Sequence, residues 1–173
     1  MHENDDHQMT KTLSQPLRTA LTYQTELLPS PDFESLAPIV RDYPVASIAK
    51  AFNWEECLQT VPQGEWYLVV FRSVRRRCAN EQLLTEFDDR AFMEASGAPG
   101  FLHYFRGELA DTRERLSFCL WTDRESARIA LRLPRHQAAV KIASLMYETY
   151  QLERYLARKP ALASTITFHR LQV

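Results

Sequence analysis

The sequence predicts an α+β fold in which strands and helices follow the order β-α-β-β-α-β across residues 65–159. WYLVVFRS (66–73) and RLSFCLW (115–121) are rich in β-branched and aromatic residues, which favour strands. Residues 80–96 repeat apolar side chains at spacings of three and four, as an amphipathic helix does. In both strands the two alternating sets of side chains are apolar, so we expect both faces of the sheet to be buried.

The N-terminal third of the chain is expected to lie outside this core. Residues 1–15 are polar and charged, which predicts a disordered tail, and residues 16–64 form an extension. TALTYQTELL (19–28) predicts a strand within that extension. Asn53 and Glu56 fit a capping box, which predicts that a short helix begins at Asn53. The side chains of this helix that are expected to pack on the core are Trp54, Cys57, Leu58 and Val61.

Turn and capping residues separate the elements of the folded domain, which is expected to occupy residues 65–173. Gly97 is placed to end the first helix in the left-handed conformation. Thr122 and Glu125 fit a second capping box with Thr122 as the cap, and Pro134 interrupts the helix that begins there. The predicted elements, including a C-terminal edge strand, are 66–73, 80–96, 101–109, 115–121, 122–149, 150–158 and 164–173.

Two helices can cover only one face of a four-stranded sheet, so a second apolar layer must cover the other face. That layer is either the sheet of a partner subunit or the N-terminal extension. We predict a homodimer that is joined through the two sheets, with a standard interface of about 1,600 Å² in total. If the protein is a monomer, residues 19–62 are expected to cover the open face instead.

Composition excludes several classes of function. Residues 65–159 carry 16 Lys/Arg against 13 Asp/Glu, too weak an excess for a nucleic-acid surface. No apolar run is long enough to cross a membrane, and the acidic N-terminus does not resemble a signal peptide. Three cysteines without a CxxC pattern fit reduced thiols. We therefore expect a cytoplasmic protein whose partners are a second copy of itself and a small molecule, with no nucleic acid and no membrane.

Motifs for common cofactors and metals are absent from the sequence. The four glycines make neither a GxGxxG turn nor a P-loop, and there is no HExxH, no GxSxG and no metal-spaced Cys/His cluster. We therefore predict no cofactor and no metal site. GFLHYF (100–105) matches the aromatic motif of RNA-binding domains poorly, because it falls on the second strand and follows Pro99 rather than a basic residue.

Five residues are candidates for a small-molecule site, and each also has a purely structural interpretation. His136 can act as a general base or simply as a polar residue where the second helix restarts. Arg72 can anchor an anion or extend to the sheet edge. His103 can bind substrate or be a core histidine that a backbone carbonyl satisfies. Tyr104 and Trp121 can line a pocket or pack in the core.

LSFCLWTDRESARIALRLPRHQAA (116–139) resembles the second half of the antibiotic-biosynthesis-monooxygenase superfamily, whose members are dimeric α/β barrels with a ferredoxin-like core. In that superfamily an apolar strand ends in Trp, a capped helix follows, and a proline precedes a histidine and alanines. GFLHYFRG (100–107) resembles the opening of the family's second strand. Residues 66–158 also resemble an uncharacterised bacterial and fungal family with the same core. The positions that match the superfamily pattern are Trp121, Pro134, His136 and Ala139.

This resemblance implies a cofactor-free monooxygenase that acts on an aromatic or polyketide-like substrate. From their chemistry we expect His136, as the base, and Arg72, as a positive charge for a developing oxyanion, to be the catalytic residues. The heme-degrading branch uses an Asn on the first strand and a Trp and a His in the second helix. The first strand here has no Asn, and Ala130 and Val140 stand at the helix positions, which argues against heme degradation. A heme-binding protein with His136 as the ligand is the less favoured alternative. The alternative is a non-catalytic dimeric interaction module. A cavity of about 300 Å³ or more with converging polar groups would favour the small-molecule protein.

Overall fold

A computed structural model of the chain describes residues 30–172, and the predicted tail and the predicted strand at 19–28 lie outside them. Five antiparallel strands form one sheet in the order β2-β3-β1-β4-β5. Three of its strands are long, and β5 is a short edge strand that pairs with the end of β4. The strands are β1 (Gly64–Arg75), β2 (Phe101–Arg106), β3 (Glu114–Trp121), β4 (Tyr147–Lys159) and β5 (Thr167–Arg170).

Helices lie on both sides of this sheet. Three of them, α3 to α5, cover one face, and two short ones, α1 and α2, lie over the other. This arrangement confirms the predicted α+β, ferredoxin-like fold class. Among residues 30–172, no helix combines the length and the apolar character that a bilayer crossing requires. The helices are α1 (Ile48–Ala51), α2 (Trp54–Cys57), α3 (Glu81–Ser96), α4 (Arg124–Leu131) and α5 (Pro134–Met146).

Both predicted capping boxes are wrong in detail. The cap of α4 is Asp123 rather than Thr122, because the Asp123 carboxylate accepts from the backbone N–H of Ser126 at 2.8 Å. At α2 the Asn53 side chain accepts from the backbone N–H of Ala37, at 2.8 Å, instead of the first-turn amides. Asn53 therefore connects the start of α2 to the preceding segment at Ala37.

The left-handed glycine of this region is Gly100 rather than Gly97. Gly97 follows α3 with a φ of −86°, which any residue adopts, so that prediction is wrong. Gly100 has a φ of +77° just before β2. A Cβ atom there would lie 2.3 Å from the Ser126 hydroxyl, so glycine is needed for space as well as for conformation.

Residues 33–61 of the same chain cover the face of the sheet that the long helices leave open; we call it the extension face. Trp54 is fully buried there and donates its indole N–H to the Ile48 carbonyl at 2.8 Å. Phe52 packs edge-on against Phe118 of β3, with ring centroids 5.1 Å apart. The structure thus covers this face with the N-terminal extension, which was one of the two predicted covers, and not with the sheet of a partner. The expected sheet-to-sheet route of dimerisation is wrong, and the homodimer itself stays a prediction.

The opposite face, which we call the helix face, carries Tyr67, Cys119 and Trp121 against small residues of α3 and α4. A bulge in β2 changes which side chains reach it. The pairing with β3 shifts between Phe101 and His103, so Phe101 packs against Trp121 while His103 points to the extension face.

Candidate functional site

The five predicted site residues do not share one site. Tyr104, Trp121 and His136 lie on the helix face. Arg72 and His103 lie on the extension face, where the extension covers them. Since the sheet separates the two groups, a single small ligand cannot touch both.

Arg72 holds the extension in place. Its guanidinium donates to the backbone carbonyls of Pro44 and Ala46, the latter at 2.7 Å. Its Nε lies 3.4 Å from the Glu153 carboxylate, which is itself nearly buried. The prediction that Arg72 works beside His136 is therefore wrong, because its charge and donors serve groups on the other side of the sheet.

His103 is a buried side chain whose environment differs from the predicted one. Its Nδ1 lies 3.5 Å from the Glu34 carboxylate rather than against a backbone carbonyl. Its Nε2 is buried and has no hydrogen-bond partner among residues 30–172. Burial lowers the pKa of His103, and the nearby Glu34 opposes that effect. The residue belongs to the contact between extension and sheet.

A hollow of about 110 Å³ lies on the helix face, between the sheet and helices α3 and α5. A second hollow of about 240 Å³ adjoins it and shares Phe71, Cys119 and His136 with it. Neither reaches 300 Å³ by itself, so the cavity is smaller than one for a drug-sized ligand. The helices leave this space because they present only methyl groups at four positions: Ala91, Ala95, Ala139 and Ala143.

His136 lies in the first turn of α5 and borders both hollows. The Glu94 carboxylate of α3 accepts from the backbone N–H groups of Arg135, at 2.8 Å, and His136, at 3.1 Å, so it caps α5. The ring nitrogen Nδ1 is buried and has no partner among the described residues. Burial lowers the pKa of His136, against the opposing charges of Glu94 and Asp88. The ring is therefore neutral near pH 7 and can accept a proton.

Tyr104 forms one wall of the inner hollow. Its hydroxyl donates to Asp88 at 2.8 Å, and Arg106 binds the other oxygen of that carboxylate, also at 2.8 Å. Burial and the neighbouring Asp88 raise the pKa of Tyr104 well above 10, so the phenol is neutral. Its ring stacks on Phe92 with centroids 5.6 Å apart. The result is a fixed, flat aromatic wall.

Three polar residues on the floor of the hollow escaped the sequence analysis: Ser73 of β1 and Arg115 and Ser117 of β3. Arg115 and Ser117 alternate with Leu116 and Phe118, which point into the buried extension face. The alternation of polar and apolar side chains along the first half of β3, which places them on opposite faces of the strand, is the signal from which these residues could have been predicted. It was missed because the strand was treated as apolar on both sides.

The hollow offers no metal site of protein ligands. Among residues 30–172, His, Cys, Asp and Glu side chains nowhere form a group of three that could hold an ion. Cys119 faces the hollow, but burial raises its pKa strongly, so it is a neutral thiol rather than a ligand or nucleophile. The chemistry of the site therefore depends on an imidazole, hydroxyls, a guanidinium and aromatic rings.

The family described as PB2B2.08-like matches residues 10–168. The chain belongs to this family. A relative, the UPF0643 protein PB2B2.08 of Schizosaccharomyces pombe, is 30% identical over 101 residues, which is 55% of this chain and 46% of the relative. The chain thus spans about half the length of the curated relative that it matches.

Several solved structures are similar to this member of the PB2B2.08-like family, and one of them is a putative antibiotic biosynthesis monooxygenase. SnoaB of Streptomyces nogalater, described as a cofactor-independent oxygenase, has a TM-score of 0.46 and 18% identity and covers 58% of this chain and 99% of its own. A putative antibiotic biosynthesis monooxygenase of Chloroflexus aurantiacus has a TM-score of 0.44 and 18% identity, and it covers 57% of this chain and 96% of its own. A dimeric ferredoxin-like protein of unknown function from Thermobifida fusca has a TM-score of 0.45 and 14% identity, and it covers 53% of this chain and 90% of its own. None of these likenesses bears on what this chain binds.

Proposed function

We propose that this protein binds a small aromatic molecule in the hollow on the helix face and exchanges a proton with it through His136. The observation that carries the proposal is that His136 borders the hollow while its buried Nδ1 has no partner among the described residues. An unpaired buried nitrogen costs free energy unless a ligand or a water binds it. A ligand hydroxyl in the hollow would supply the missing hydrogen bond.

The walls of the hollow favour a flat ring. Phe71, Phe101 and Tyr104 line it from the sheet, and Phe92 lines it from α3. A dry cavity of about 150 Å³ binds benzene in another protein. The inner hollow of about 110 Å³ is smaller than that, so a single ring would also use part of the adjoining hollow of about 240 Å³. A second ring or a side arm can extend past His136 into the adjoining hollow.

The reaction that we propose is a cofactor-free oxygenation of a phenol to a quinone. Dioxygen gives one oxygen atom to the ring and takes up four electrons from the substrate, and its other atom leaves as water with the hydrogens of the phenol O–H and of the oxidised ring C–H. A neutral imidazole can take the proton of a phenol, and the phenolate that forms is far more electron-rich and more readily oxidised by dioxygen. His136 would act as the base. The neutral Tyr104, held by Asp88, would orient the ring without competing for the proton.

Calorimetric titration with phenol and 1-naphthol tests the binding. We expect the wild-type protein to bind at least one of them and His136→Leu to bind at least tenfold more weakly, as loss of a buried hydrogen bond predicts. His169→Gln, which changes an exposed histidine on β5, is the matched control and should bind as the wild type does. Equal affinities of the wild type and His136→Leu would contradict the proposal.

An oxygen electrode tests the reaction separately. With a bound phenol, the wild type should consume dioxygen faster than the protein-free solution, and His136→Leu should not. Native mass spectrometry of the purified protein reports any retained ligand and the number of subunits together. Binding without oxygen consumption would support the proposed small-molecule binding and contradict the proposed oxygenase activity.

A non-catalytic dimeric module is the second candidate function, and the outer edge of β4 favours it. From Tyr147 to Glu153 this strand has no neighbour on its outer side among residues 30–172, because β5 pairs only with 155–158. Leu152 is partly exposed there. Open strand edges bind other strands. We propose a homodimer through this edge, which light scattering would test: Leu152→Lys should shift a dimer to monomer, and a monomeric wild type would contradict it.

The compartment also remains a proposal. All three cysteines are free thiols: Cys57 and Cys119 are buried and Cys78 is exposed. Free thiols support a reducing compartment, and we propose the cytoplasm. Microscopy of a tagged full-length chain in its host would test it.

A further inference from the structure

We propose that the ligand of the hollow is an aromatic carboxylate whose anionic group binds Arg115 together with Ser73 and Ser117. This inference rests on the proposed small-molecule function and names the class of ligand. It replaces Arg72, the anion anchor that the sequence suggested, with an arginine that lines the hollow itself.

The strand register places the three side chains on one patch of the floor. Ser73 of β1 is paired directly with Arg115 of β3. Ser117 follows two residues later on β3, about 7 Å along the strand and on the same face. All three line the inner hollow. Neither serine hydroxyl makes a hydrogen bond within the described part of the chain, so both are available to a ligand.

The guanidinium of Arg115 is oriented but not neutralised. Its Nε donates to the Gly107 carbonyl at 2.7 Å, which fixes the plane of the group. Within residues 30–172 it forms no ion pair, whereas the nearby Arg113 binds Glu148 at 2.6 Å and Arg106 binds Asp88 and Asp89. A fixed guanidinium with two open nitrogens matches a carboxylate in shape and charge.

Asp88, the one carboxylate of residues 30–172 that lines the inner hollow, does not compensate this charge. Asp88 accepts from the Tyr104 hydroxyl and from Arg106, so its two oxygens are already bound. Its charge is matched by Arg106, and within the described part of the chain Arg115 is left as the uncompensated charge of the site. A half-buried cation in an apolar hollow favours an anionic ligand over a neutral one of the same shape.

The position of the other groups gives the ligand a direction. A carboxylate on the floor, at β1 and β3, leaves its ring between Phe71 and Tyr104, below the alanines of α3 and α5. The far side of the ring then faces His136 at the start of α5. A ring substituent that exchanges a proton would lie on that side, as in a hydroxybenzoate.

Benzoate and benzamide form the test pair, because they share size and shape and differ in charge. By calorimetry we expect wild-type protein to bind benzoate about tenfold or more tightly than benzamide, as a charge-assisted pair predicts. Arg115→Met should remove that preference, lowering benzoate affinity about tenfold and leaving benzamide unchanged. Arg115→Lys should retain part of it. Arg90→Met, an exposed arginine of α3 outside the hollow, is the control.

The outcomes separate this inference from the proposed function. Equal binding of the two probes, with Arg115→Met unaffected, would overturn the carboxylate assignment and leave a neutral-ligand site in place. Absence of binding by phenol, 1-naphthol and both probes would overturn the proposed function and this inference together. If Arg115→Met does not fold, the wild type and Arg115→Lys still decide, because a wild type that binds benzoate no more tightly than benzamide contradicts the assignment.

Discussion

The two faces of one sheet are covered in different ways, and only one of them is filled. On the extension face Leu68, Phe118 and Trp54 are completely buried by a segment of turns and short helices. On the helix face Phe71 and Tyr104 are only partly buried beneath α3 and α5. An irregular segment can follow the contour of a sheet, whereas straight helices with alanines on their inner side leave a gap. The face that is covered by regular helices therefore keeps a hollow in which a small molecule can bind.

Trp54→Ala should give the largest loss of stability, because it empties the filled face. Truncation of a fully buried tryptophan typically costs about 3–5 kcal/mol, and here its hydrogen bond to Ile48 is lost as well. Urea unfolding measures this cost. Phe92→Ala, at the rim of the hollow and 39% exposed, is the comparison and should cost clearly less. If Trp54→Ala lowered the free energy of unfolding by less than about 1 kcal/mol, the extension would be peripheral.

Arg72→Met should rank second. It removes the donors to Pro44 and Ala46, and it leaves the nearly buried Glu153 carboxylate with the Tyr155 hydroxyl at 2.9 Å and, as its remaining cation, the more distant Arg170 at 3.7 Å. Such a loss is expected to cost about 2–3 kcal/mol in unfolding free energy. Adding Glu153→Gln should recover part of that cost. If the two changes were simply additive, Arg72 would not be coupled to Glu153 as the contact indicates.

Ala139→Leu should change stability little and function much. The added methyl groups enter the hollow beside His136 rather than a packed core, so the free energy of unfolding should stay within about 1 kcal/mol of the wild type. Binding of phenol or benzoate should be abolished in the same preparation. A large destabilisation together with retained binding would place the hollow elsewhere.

The pH dependence of stability should be the smallest effect and should come from both faces. The pKa values of His136 and His103 are lowered in the folded protein, mainly by burial. The unfolded chain then binds more protons near and below pH 6.5, so the stability is fully present above that pH and declines as the pH falls through it. NMR titration should give both residues pKa values below that of the exposed His169, and a His136 value at or above 6.5 would contradict the buried ring.

Much of the fold was predictable from local patterns. The apolar sets on both sides of β1 and β3 required two covers, and both exist. The patterns contained no information on which cover lies on which side, since Leu68 needs burial equally under a helix or under an extension. Arg72 was placed correctly beside the Trp66 set of β1, yet that set faces the extension, so the inferred site with His136 was divided by the sheet.

The candidate site was less accessible to sequence reasoning, for two physical reasons. The bulge in β2 moves His103 to the opposite face from Phe101, and no local residue pattern reports a shift of one position. Arg115 matters because it has no acidic partner among residues 30–172, and pairing is a property of the folded arrangement. Even Tyr104, which was selected as a ligand contact, proved to be held by an aspartate sixteen residues earlier in the chain.

Because the cover of the extension face belongs to the same chain, its contribution to folding does not obey mass action. A cover supplied by a second subunit would be lost on dilution, and the melting temperature would fall as the protein concentration is lowered. Here residues 33–61 are tethered directly to β1, so their effective concentration at the face is fixed by the short connection at Pro62 and Gln63. This half of the hydrophobic core should therefore persist at any dilution, whatever the protein assembles with.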